Sequence, residues 1–384
     1  MVAVLFPHFD HPAIEERFGS WQARSLLRAG GAEIVPYFPN DKASDIAAEI
    51  DDPSIVVVTD PLVLTSPRLP ERLVALLGDV AAAVPMANES ANSAQQRSVA
   101  PYVTLRELQS VIEGVESSDE PPQTVVWDGS DPAVFACKVE LLAGTKGPLR
   151  DALRGKSVAV SHRDFVHRFA SMRGQQRLDL LERIPLDAKN ILELGCGEAP
   201  LGAALKQRQK CRVVGVELDK HAAAIAKKRI DDVYNGDVRE IVGLLADRDK
   251  FDWIIGGDII EHLDDPWSFL SELREITAPR GHLLLSIPNI ANAALISDLL
   301  AGRFDYVYMG LTCVGHLRFF TRQSIADLLT IAGWSVENIA RQEAILSAGT
   351  LPLLEGLQKT SLPYSRDDLL AHGYYVTARN DSQS

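Results

Sequence analysis

Short apolar segments alternate with a helical pattern over the first 150 residues. Residues 13–31, AIEERFGSWQARSLLRAGG, predict a helix that ends at Gly30 and Gly31. Segments that are short, rich in β-branched residues and bounded by turn residues predict strands. They are MVAVLF, AEIVPYF, SIVVVTD and VAAAVPM, at 1–6, 32–38, 54–60 and 80–86. This β-α-β order predicts an α/β region with a largely parallel sheet.

The pattern changes near residue 165. Residues 165–184, FVHRFASMRGQQRLDLLERI, show the spacing of an amphipathic helix. Further strand candidates follow, separated by helical runs, and this alternation predicts one seven-stranded, doubly wound sheet. They lie at 190–195, 212–217, 231–237, 251–258, 282–288, 334–342 and 373–379. Because 384 residues exceed what one core usually organises, the sequence predicts two domains, residues 1–150 and 151–384.

Composition and charge narrow the class of protein. With 46% hydrophobic residues, 24% charged residues and a net charge of −13, the chain is typical of a globular protein. Acidic residues outnumber basic ones on both sides of residue 150, so we expect no nucleic-acid partner. The sequence has no apolar run of about 18 residues and no signal-peptide pattern, which predicts a cytoplasmic protein without a membrane span. The sequence leaves homo-oligomerisation open.

The cysteines and the N-terminal histidines give no metal-binding pattern. The four cysteines have no C-x-x-C spacing, which argues against a zinc site and suits a reducing compartment. The segment PHFDH offers His8, Asp10 and His11, but such a group near an N-terminus is usually a surface turn. We therefore predict no metal ligands. The cysteines are Cys137, Cys196, Cys211 and Cys313.

The segment LELGCGEAPLG has the composition of a turn between a strand and a helix. Gly195 and Gly197 permit a tight turn and let a ligand approach the backbone closely. Pro200 suits the first turn of the following helix, whose N-terminal amides can hold an anionic group. Pro200 also occupies the third-glycine position of G-x-G-x-x-G, so the dinucleotide fingerprint is excluded. An ordinary turn that only needs glycine is the alternative interpretation.

The next predicted strand ends in an acid. RVVGVELD places Glu217 two dozen residues after Glu193, where a carboxylate can accept hydrogen bonds from both ribose hydroxyls. This arrangement suits a dinucleotide or an adenosyl ligand. A solvated helix-capping acid is the alternative, although Asp219 is better placed for that cap.

Two further acidic residues help to distinguish a dinucleotide from an adenosyl ligand. YNGDV places Asp237 at the end of a strand, where an acid can meet the exocyclic amine of adenine. FDWIIGGDIIEHLDDP ends a strand in Asp258 and continues into a loop that contains His262. Dinucleotide enzymes have no specific need for this second arrangement, so the pattern favours an adenosyl ligand.

Together with GHLLLSIPN and GHLRFFT, these motifs resemble those of class I S-adenosylmethionine-dependent methyltransferases over about residues 165–380. The chain looks closest to small-molecule and sugar methyltransferases of bacteria, of the type often joined to glycosyltransferase modules. The resemblance implies a Rossmann-like α/β domain with S-adenosyl-L-methionine as its cofactor. It also implies seven strands, one of them an antiparallel edge strand.

The resemblance further implies roles by position. The glycine turn, with Glu193, would line the methionine end of the cofactor, Glu217 would bind the ribose, Asp237 the adenine edge, and Asp258 would lie beside the methionine moiety. One departure is Ala199, where the family usually has a third glycine of the turn. We expect close approach to be tolerated if φ is negative there, and a cost of about 1 kcal/mol for the alanine if φ is positive. The predicted cofactor-binding residues are Glu193, Gly195, Cys196, Gly197, Glu217, Leu218, Asp237, Val238 and Asp258.

Methyl transfer to a hydroxyl needs alignment of the reacting atoms and a base that takes the proton. His262 is the first candidate for this base and His316, in GHLRFF, is the second. A structural histidine that holds the loop is the alternative for His262. Arg173 and Arg177 could reach the cofactor carboxylate, but a solvated helix face is the interpretation we favour.

The segment RFDYVYMGLTCVGHLRFFT is rich in aromatic residues. It predicts a substrate lid in which Tyr308 and Arg318 contact the substrate, Arg318 as a cationic partner for a carboxylate or phosphate. A hydrophobic minidomain is the alternative.

The N-terminal part bears a partial resemblance to an A-type glycosyltransferase domain. The metal-binding Asp-x-Asp of that family is absent, and Asp60 stands alone in VVTDP. A degenerate domain that recognises a saccharide acceptor, or mediates assembly, is therefore expected.

The predicted function is methylation of a small molecule, an O-methylation of a sugar or glycan precursor. Three alternatives stay open. They are a bifunctional glycosyltransferase–methyltransferase, an N- or C-methyltransferase of another metabolite, and a cofactor-binding scaffold without turnover.

Overall fold

The computed structural model describes residues 2–8, 13–169, 174–245 and 250–381. Their chain divides into two compact units. The first comprises the residues up to 169 together with 305–314, and the second comprises 170–304 together with 315–384. Among the helices described, none combines the length and the apolar character that crossing a bilayer requires.

The first unit contains a mixed sheet of eight described strands and five described α-helices. The sheet has the order β2-β1-β3-β7-β5-β8-β4, and β6 pairs with β8 outside this path. The elements are β1 Ala3–Pro7, α1 Ile14–Ala29, β2 Glu33–Tyr37, α2 Ala43–Ala47, β3 Ser54–Val58, β4 Val63–Thr65, α3 Leu69–Val74, β5 Ala82–Ala87, α4 Leu105–Glu116, β6 Gln123–Val126, β7 Val134–Lys138, α5 Val139–Ala143 and β8 Ser157–Arg168.

The prediction of a largely parallel first sheet is wrong. β1 is parallel to β2 and β3, and β5 is parallel to β8, but β7 is antiparallel to both β3 and β5. β4 and β6 are antiparallel to β8. A return in the same direction needs a crossover of about a dozen residues or more. The link from β3 to β4, residues 59–62, is shorter, so β4 runs opposite to β3.

The helix predicted over 165–184 is mostly wrong. Its first residues complete β8, where Phe165 and Val166 pair with Met86 and Ala87 of β5 and are buried in that sheet. Only residues 178–181 form an α-helix in the described part of the segment. Because β8 belongs to the first unit's sheet, the boundary predicted at 150/151 lies inside the first unit, and the chain leaves that unit after residue 169.

The second unit contains the seven predicted strands, each close to its expected position. Its elements are α6 Leu178–Leu181, β9 Asn190–Leu194, α7 Pro200–Arg208, β10 Arg212–Glu217, α8 Lys220–Ala226, β11 Asp232–Asn235, α9 Val238–Leu245, β12 Phe251–Gly257, a 3-10 helix Ile260–His262, α10 Pro266–Ile276, β13 Thr277–Pro288, α11 Ala293–Leu300, α12 Arg322–Ile331, β14 Ser335–Arg341, α13 Thr350–Leu357, α14 Arg366–Leu370 and β15 Gly373–Arg379.

The second sheet has the order β11-β10-β9-β12-β13-β15-β14. Its first five strands are parallel, and β15 is antiparallel to both of its neighbours. The antiparallel strand is therefore one position in from the edge, and β14 is the edge strand, which corrects the expected edge position. The reason is that β15 inserts between β13 and β14 after the long excursion that contains α13 and α14.

Apolar side chains cover both faces of the second sheet. On one face α9, α10 and α12 pack against strand residues such as Leu192 and Ile254. On the other face α6, α7 and α8 pack against residues such as Ile191 and Ile255. Burial on both faces explains why these strands are continuous apolar runs. The parallel pairing of β9, β10, β12 and β13 brings their carboxyl ends to one edge, where ligands bind in such sheets.

Candidate functional site

Three left-handed residues shape the glycine turn after β9. Gly195 has φ +64°, Gly197 has φ +56° and Ala199 has φ +56°. A Cβ at Gly195 would lie 2.7 Å from Cδ1 of Ile259, so the turn has no room for a side chain there. The φ at Ala199 is positive, which is the case in which an alanine is strained. The left-handed conformation costs an alanine about 1 kcal/mol, and Pro200 then begins α7 as predicted.

Glu193 lies under the first turn of α7. Its side chain is buried, and Oε2 has no hydrogen-bond partner among the described residues. A Cβ at Gly202 would come within 2.9 Å of that oxygen, so the helix packs directly on the carboxyl group. Burial raises the pKa of Glu193 to about 8, and the charge of Glu217 adds to this effect. Glu193, which was predicted to line the methionine end of the cofactor, is therefore buried against the helix that follows the turn.

Glu217 joins the glycine turn to the end of β10. Its Oε2 accepts a hydrogen bond from the Gly197 amide at 2.8 Å, and its Oε1 accepts one from the Asp219 amide at 2.8 Å. The side chain of Asp219 caps α8 through the amides of His221 and Ala222, as the alternative interpretation proposed for it. A carboxylate offers more acceptor positions than these two bonds use, so Glu217 can accept further hydrogen bonds.

The other predicted adenosine contacts border the same region. Asp237 follows β11 and is paired with the guanidinium of Arg239 at 2.7 Å, and these hydrogen bonds lower the pKa of Asp237. Leu218 is 72% exposed directly after Glu217, so it offers apolar surface at the edge. Val238 is buried as the first residue of α9.

Cys196 points away from this surface. Its side chain is buried, and its sulfur would lie 2.6 Å from a Cβ at Gly215. Only its backbone can therefore take part in a ligand site at the turn. Burial raises the pKa of this thiol, which also removes it as a nucleophile at neutral pH.

Asp258 ends β12 in a left-handed conformation, with φ +52°. Its carboxylate accepts hydrogen bonds from Nη1 of Arg177 at 2.9 Å and from the Ser286 hydroxyl at 2.8 Å. Arg177 also pairs with Asp179, whose carboxylate accepts the Tyr375 hydroxyl at 2.9 Å. The favoured interpretation of Arg177 as a solvated helix residue is wrong, because it is held beside the cofactor region. Arg173 lies outside the described residues.

His262 lies in the 3-10 helix that follows Asp258. Its Nδ1 is 3.1 Å from the carbonyl oxygen of Gly315. A carbonyl can only accept, so Nδ1 carries the hydrogen, and in the neutral ring the lone pair lies on Nε2. The His316 ring packs edge-on against it, with centroids 4.9 Å apart. The structure therefore brings the two predicted base candidates together.

Glu261 is a site residue that the sequence did not single out. It is fully buried, and neither carboxyl oxygen has a hydrogen-bond partner among the described residues. Burial and the charge of Asp258 raise the pKa of Glu261 well above its usual value. One ligand atom each of Glu261, His262 and His316 lie within 4.8 Å of one another, a donor set of the kind that holds transition metals.

The residues of the predicted aromatic lid are divided between the two units. Phe304 and Phe319 pack edge-on in the second unit, with centroids 5.5 Å apart. Tyr308 belongs to the first unit, where its ring packs against Phe169 at 5.3 Å. Arg318 bonds the carbonyl of Asp264 through its guanidinium, so it braces the loop after His262.

In the first unit, the carboxylate of Asp60 is held by two groups of the same unit. One oxygen accepts the Leu62 amide at 3.0 Å, and the other pairs with Arg168 at 3.2 Å. His8 packs edge-on against Phe38. Asp10 and His11, of the same N-terminal segment, lie outside the described residues.

Comparisons with known proteins agree with this geometry. A family model described as "Methyltransferase domain" matches residues 163–339. This part of the chain is a methyltransferase domain. A protein of Mycolicibacterium smegmatis named "Probable S-adenosylmethionine-dependent methyltransferase" is 30% identical over 152 residues, 39% of this chain and 53% of that protein. The mitochondrial ubiquinone biosynthesis O-methyltransferase of Schizosaccharomyces pombe is 28% identical over 185 residues, 45% of this chain and 66% of that protein.

The methyltransferase domain is of the class I, S-adenosylmethionine-dependent type. A solved S-adenosylmethionine-dependent methyltransferase from Archaeoglobus fulgidus covers 53% of this chain and 91% of its own, with 17% identity and a TM-score of 0.40. The chain spans 53% and 66% of the two curated relatives' lengths.

S-adenosylmethionine, the methyl donor of this class, fits the edge of the methyltransferase domain. The donor carries a cationic sulfonium and an ammonium group, and the edge presents the carboxylates of Glu217 and Asp258. Gly195 is exposed at this edge, so the backbone of the turn is open to a ligand. Charge and shape at this edge thus suit a cationic adenosyl ligand.

Proposed function

We propose that this protein is an S-adenosylmethionine-dependent methyltransferase that O-methylates a small molecule. The observation that carries the proposal is the meeting of His262 and His316 beside Asp258, at the edge where β9 and β10 present the glycine turn and Glu217. A methyl-donor site and a histidine base would then share one edge of one sheet.

We propose that Glu217, Asp258 and the glycine turn hold the cofactor. Glu217 would accept hydrogen bonds from the ribose hydroxyls, since it can only accept and lies at the tip of β10. Asp258, fixed by Arg177 and Ser286, would face the methionine moiety with its negative charge. Asp237 and the exposed Leu218 would meet the adenine from its polar and apolar sides.

The bound cofactor supplies a methyl group already activated by a positive sulfur. The chain must align the acceptor oxygen with that carbon and remove the proton of the hydroxyl. His262 would accept this proton on Nε2, because Nδ1 is committed to the Gly315 carbonyl. The cofactor, held by Glu217, Asp258 and the glycine turn, would supply the methyl group for the new oxygen–carbon bond and would retain the electron pair of its carbon–sulfur bond. His316 would position the His262 ring through its edge-on contact.

The acceptor is proposed to be a hydroxyl of a sugar or glycan precursor. Several relatives, among them the Schizosaccharomyces pombe protein, are named ubiquinone biosynthesis O-methyltransferases, which supports an oxygen acceptor and leaves a phenol as the competing class. The first unit is proposed to recognise the acceptor. A second, glycosyltransferase activity is disfavoured, because Asp60 is engaged by Leu62 and Arg168.

The test is methyl transfer from labelled cofactor to two sets of hydroxyl acceptors, sugar glycosides and catechols. Labelled product from the glycosides, lost in His262→Ala, supports the proposal. Product from catechols alone would show that the acceptor is a phenol and not a sugar hydroxyl. Tight cofactor binding without product from any metabolite fraction would favour the scaffold without turnover.

A further inference from the structure

His372 lies at the carboxyl edge of the second sheet, although it precedes the antiparallel strand. Because β15 runs opposite to β13, its first residue pairs with the last residue of β13, Gly373 with Pro288. His372 therefore stands beside Asn289, on the edge that also carries Asp258. The antiparallel strand thus delivers a histidine to the site from a position that is distant in sequence.

Two buried asparagines hold the backbone at this point. The Asn289 amide donates to the His372 carbonyl at 3.0 Å, and its side-chain amide donates to the Ala371 carbonyl at 3.0 Å. Asn292 donates to the same Ala371 carbonyl at 3.1 Å. Both asparagines are buried, with relative exposures of 0% and 1%. The backbone that carries the imidazole is therefore held from the β13 side.

Gly373 closes the other side of this anchor. A Cβ there would lie 2.7 Å from the carbonyl oxygen of Ile287 and 2.7 Å from Oε1 of Gln342. The chain therefore passes between β13 and the Gln342 side chain with no space to shift. The backbone that carries His372 is therefore held on both sides.

The imidazole ring of His372 carries a polar atom without a hydrogen-bond partner among the described residues. Nδ1 of His372 is buried and has no hydrogen-bond partner among the described residues. Burial lowers the pKa of His372, and the nearby Asp258 carboxylate opposes that effect without reversing it. Buried polar atoms are nearly always hydrogen-bonded, and one left without a partner is costly. A neutral imidazole nitrogen held in place at a ligand-binding edge is suited to a partner from outside the chain.

We propose that His372 binds the methyl acceptor, through a hydrogen bond between its Nδ1 and a hydroxyl of the acceptor. This inference rests on the proposed function and deepens it, since it assigns a residue to the acceptor rather than to the cofactor. The sheet order supports the acceptor side: β15 lies beyond β12 and β13, away from β10 and its Glu217. His262 keeps the role of base, and His372 positions the acceptor.

Two substitutions of His372 distinguish a role of Nδ1 from a role of Nε2. Asparagine places a polar atom the same number of bonds from Cα as Nδ1, whereas glutamine places one as far out as Nε2. With the sugar glycoside or the catechol that the wild-type protein methylates as the acceptor probe, we expect His372→Gln to raise KM about ten- to a hundredfold. We expect His372→Asn to stay within about threefold of wild type, since one neutral hydrogen bond is retained. Cofactor affinity should be unchanged in both variants.

His282→Asn is the matched control. His282 pairs with Glu337 and lies opposite Arg379, at the other end of β15 from His372, so its substitution should leave KM unchanged. Equal effects of the two His372 variants on KM, or a parallel loss of cofactor affinity, would overturn the proposal.

A second measurement tests His372 even if neither glycosides nor catechols are methylated, a result that would count against the proposed acceptor class alone. Side-chain NMR would follow the ring in complexes with S-adenosylmethionine and with S-adenosylhomocysteine, which differ by the sulfonium charge. Beside the transferred methyl, His372 should have its pKa lowered by about 1 in the charged complex, with Asp258 present in both. His282 should not change. An identical titration of His372 in the two complexes would place it away from the reacting centre and refute the inference.

Discussion

Arg177 and Asp258 form an ion pair, with Nη1 2.9 Å from Oδ2, although 81 positions separate them in the chain. The pair ties the segment before α6 to the end of β12. Asp258 has a left-handed backbone and also accepts the Ser286 hydroxyl. The carboxylate proposed to face the cofactor is therefore oriented by two groups from other elements.

Loss of this orientation should weaken cofactor binding. We expect Arg177→Met to raise the Kd for S-adenosylmethionine at least about tenfold, because Asp258 loses a charge-assisted hydrogen bond. Calorimetry would measure the change. Arg212→Met, which breaks the exposed pair with Asp232, is the control and should leave the Kd unchanged. Equal affinities in the two variants would show that Arg177 does not position Asp258 for the ligand.

Removal of the Glu217 carboxylate should affect binding more strongly. Glu217→Ala deletes the acceptor of the Gly197 and Asp219 amides as well as the proposed ribose contacts. We expect the Kd for the cofactor to rise about a hundredfold or more, as two hydrogen bonds to a charged group are lost. Glu240→Ala, on the exposed surface of α9, is the control. An unchanged Kd in Glu217→Ala would contradict the ribose assignment.

His262→Ala should separate catalysis from binding. If His262 takes the proton of the acceptor, kcat falls by about a hundred- to ten-thousandfold. The Kd for the cofactor should stay within about twofold, because the proposed cofactor contacts are made by other residues. Single-turnover kinetics with saturating cofactor would measure the step. A wild-type rate would remove His262 from the mechanism and leave His316 as the candidate base.

Glu193 makes stability depend on pH in a defined direction. Its pKa is raised in the folded state to about 8, so the unfolded chain releases this proton at lower pH than the folded chain. Stability from this residue is full below about pH 4.5 and is lost as the pH rises toward 8, with a slope of at most about 1.4 kcal/mol per pH unit. Urea unfolding between pH 5 and 8.5 should show the loss, and Glu193→Gln should flatten it. An equal slope in the variant would refute the assignment.

The turn at Ala199 should tolerate glycine and reject valine. Glycine relieves a left-handed strain of about 1 kcal/mol but removes a buried methyl group worth about the same, so Ala199→Gly should be nearly neutral. Valine adds volume at a fully buried position and is poorly suited to φ +56°, so it should cost at least about 2 kcal/mol. Urea denaturation would measure both. A valine variant as stable as wild type would contradict the backbone conformation.

The strands β9, β10, β12 and the second half of β13 could be predicted because they are buried on both faces and are therefore short apolar runs between turn residues. The same rule places Glu217 and Asp258 at one edge, since carboxyl ends of neighbouring parallel strands coincide. The helix predicted from Phe165 onward was wrong because a long-range pairing overrides the local pattern there. Its apolar spacing suits a helix, but pairing with β5 draws the first residues into a strand.

The sequence by itself determined the seven strands, the glycine turn, the start of α7 at Pro200 and the set of acids and histidines near the strand ends. These features depend on residues that are neighbours in the chain. The tertiary structure alone decided that Arg177 orients Asp258, that Glu193 and Glu261 are buried, and that β15 lies one position in from the edge and brings His372 to the site. These features depend on contacts between residues far apart in sequence, and local patterns of hydrophobicity carry no information on such pairings.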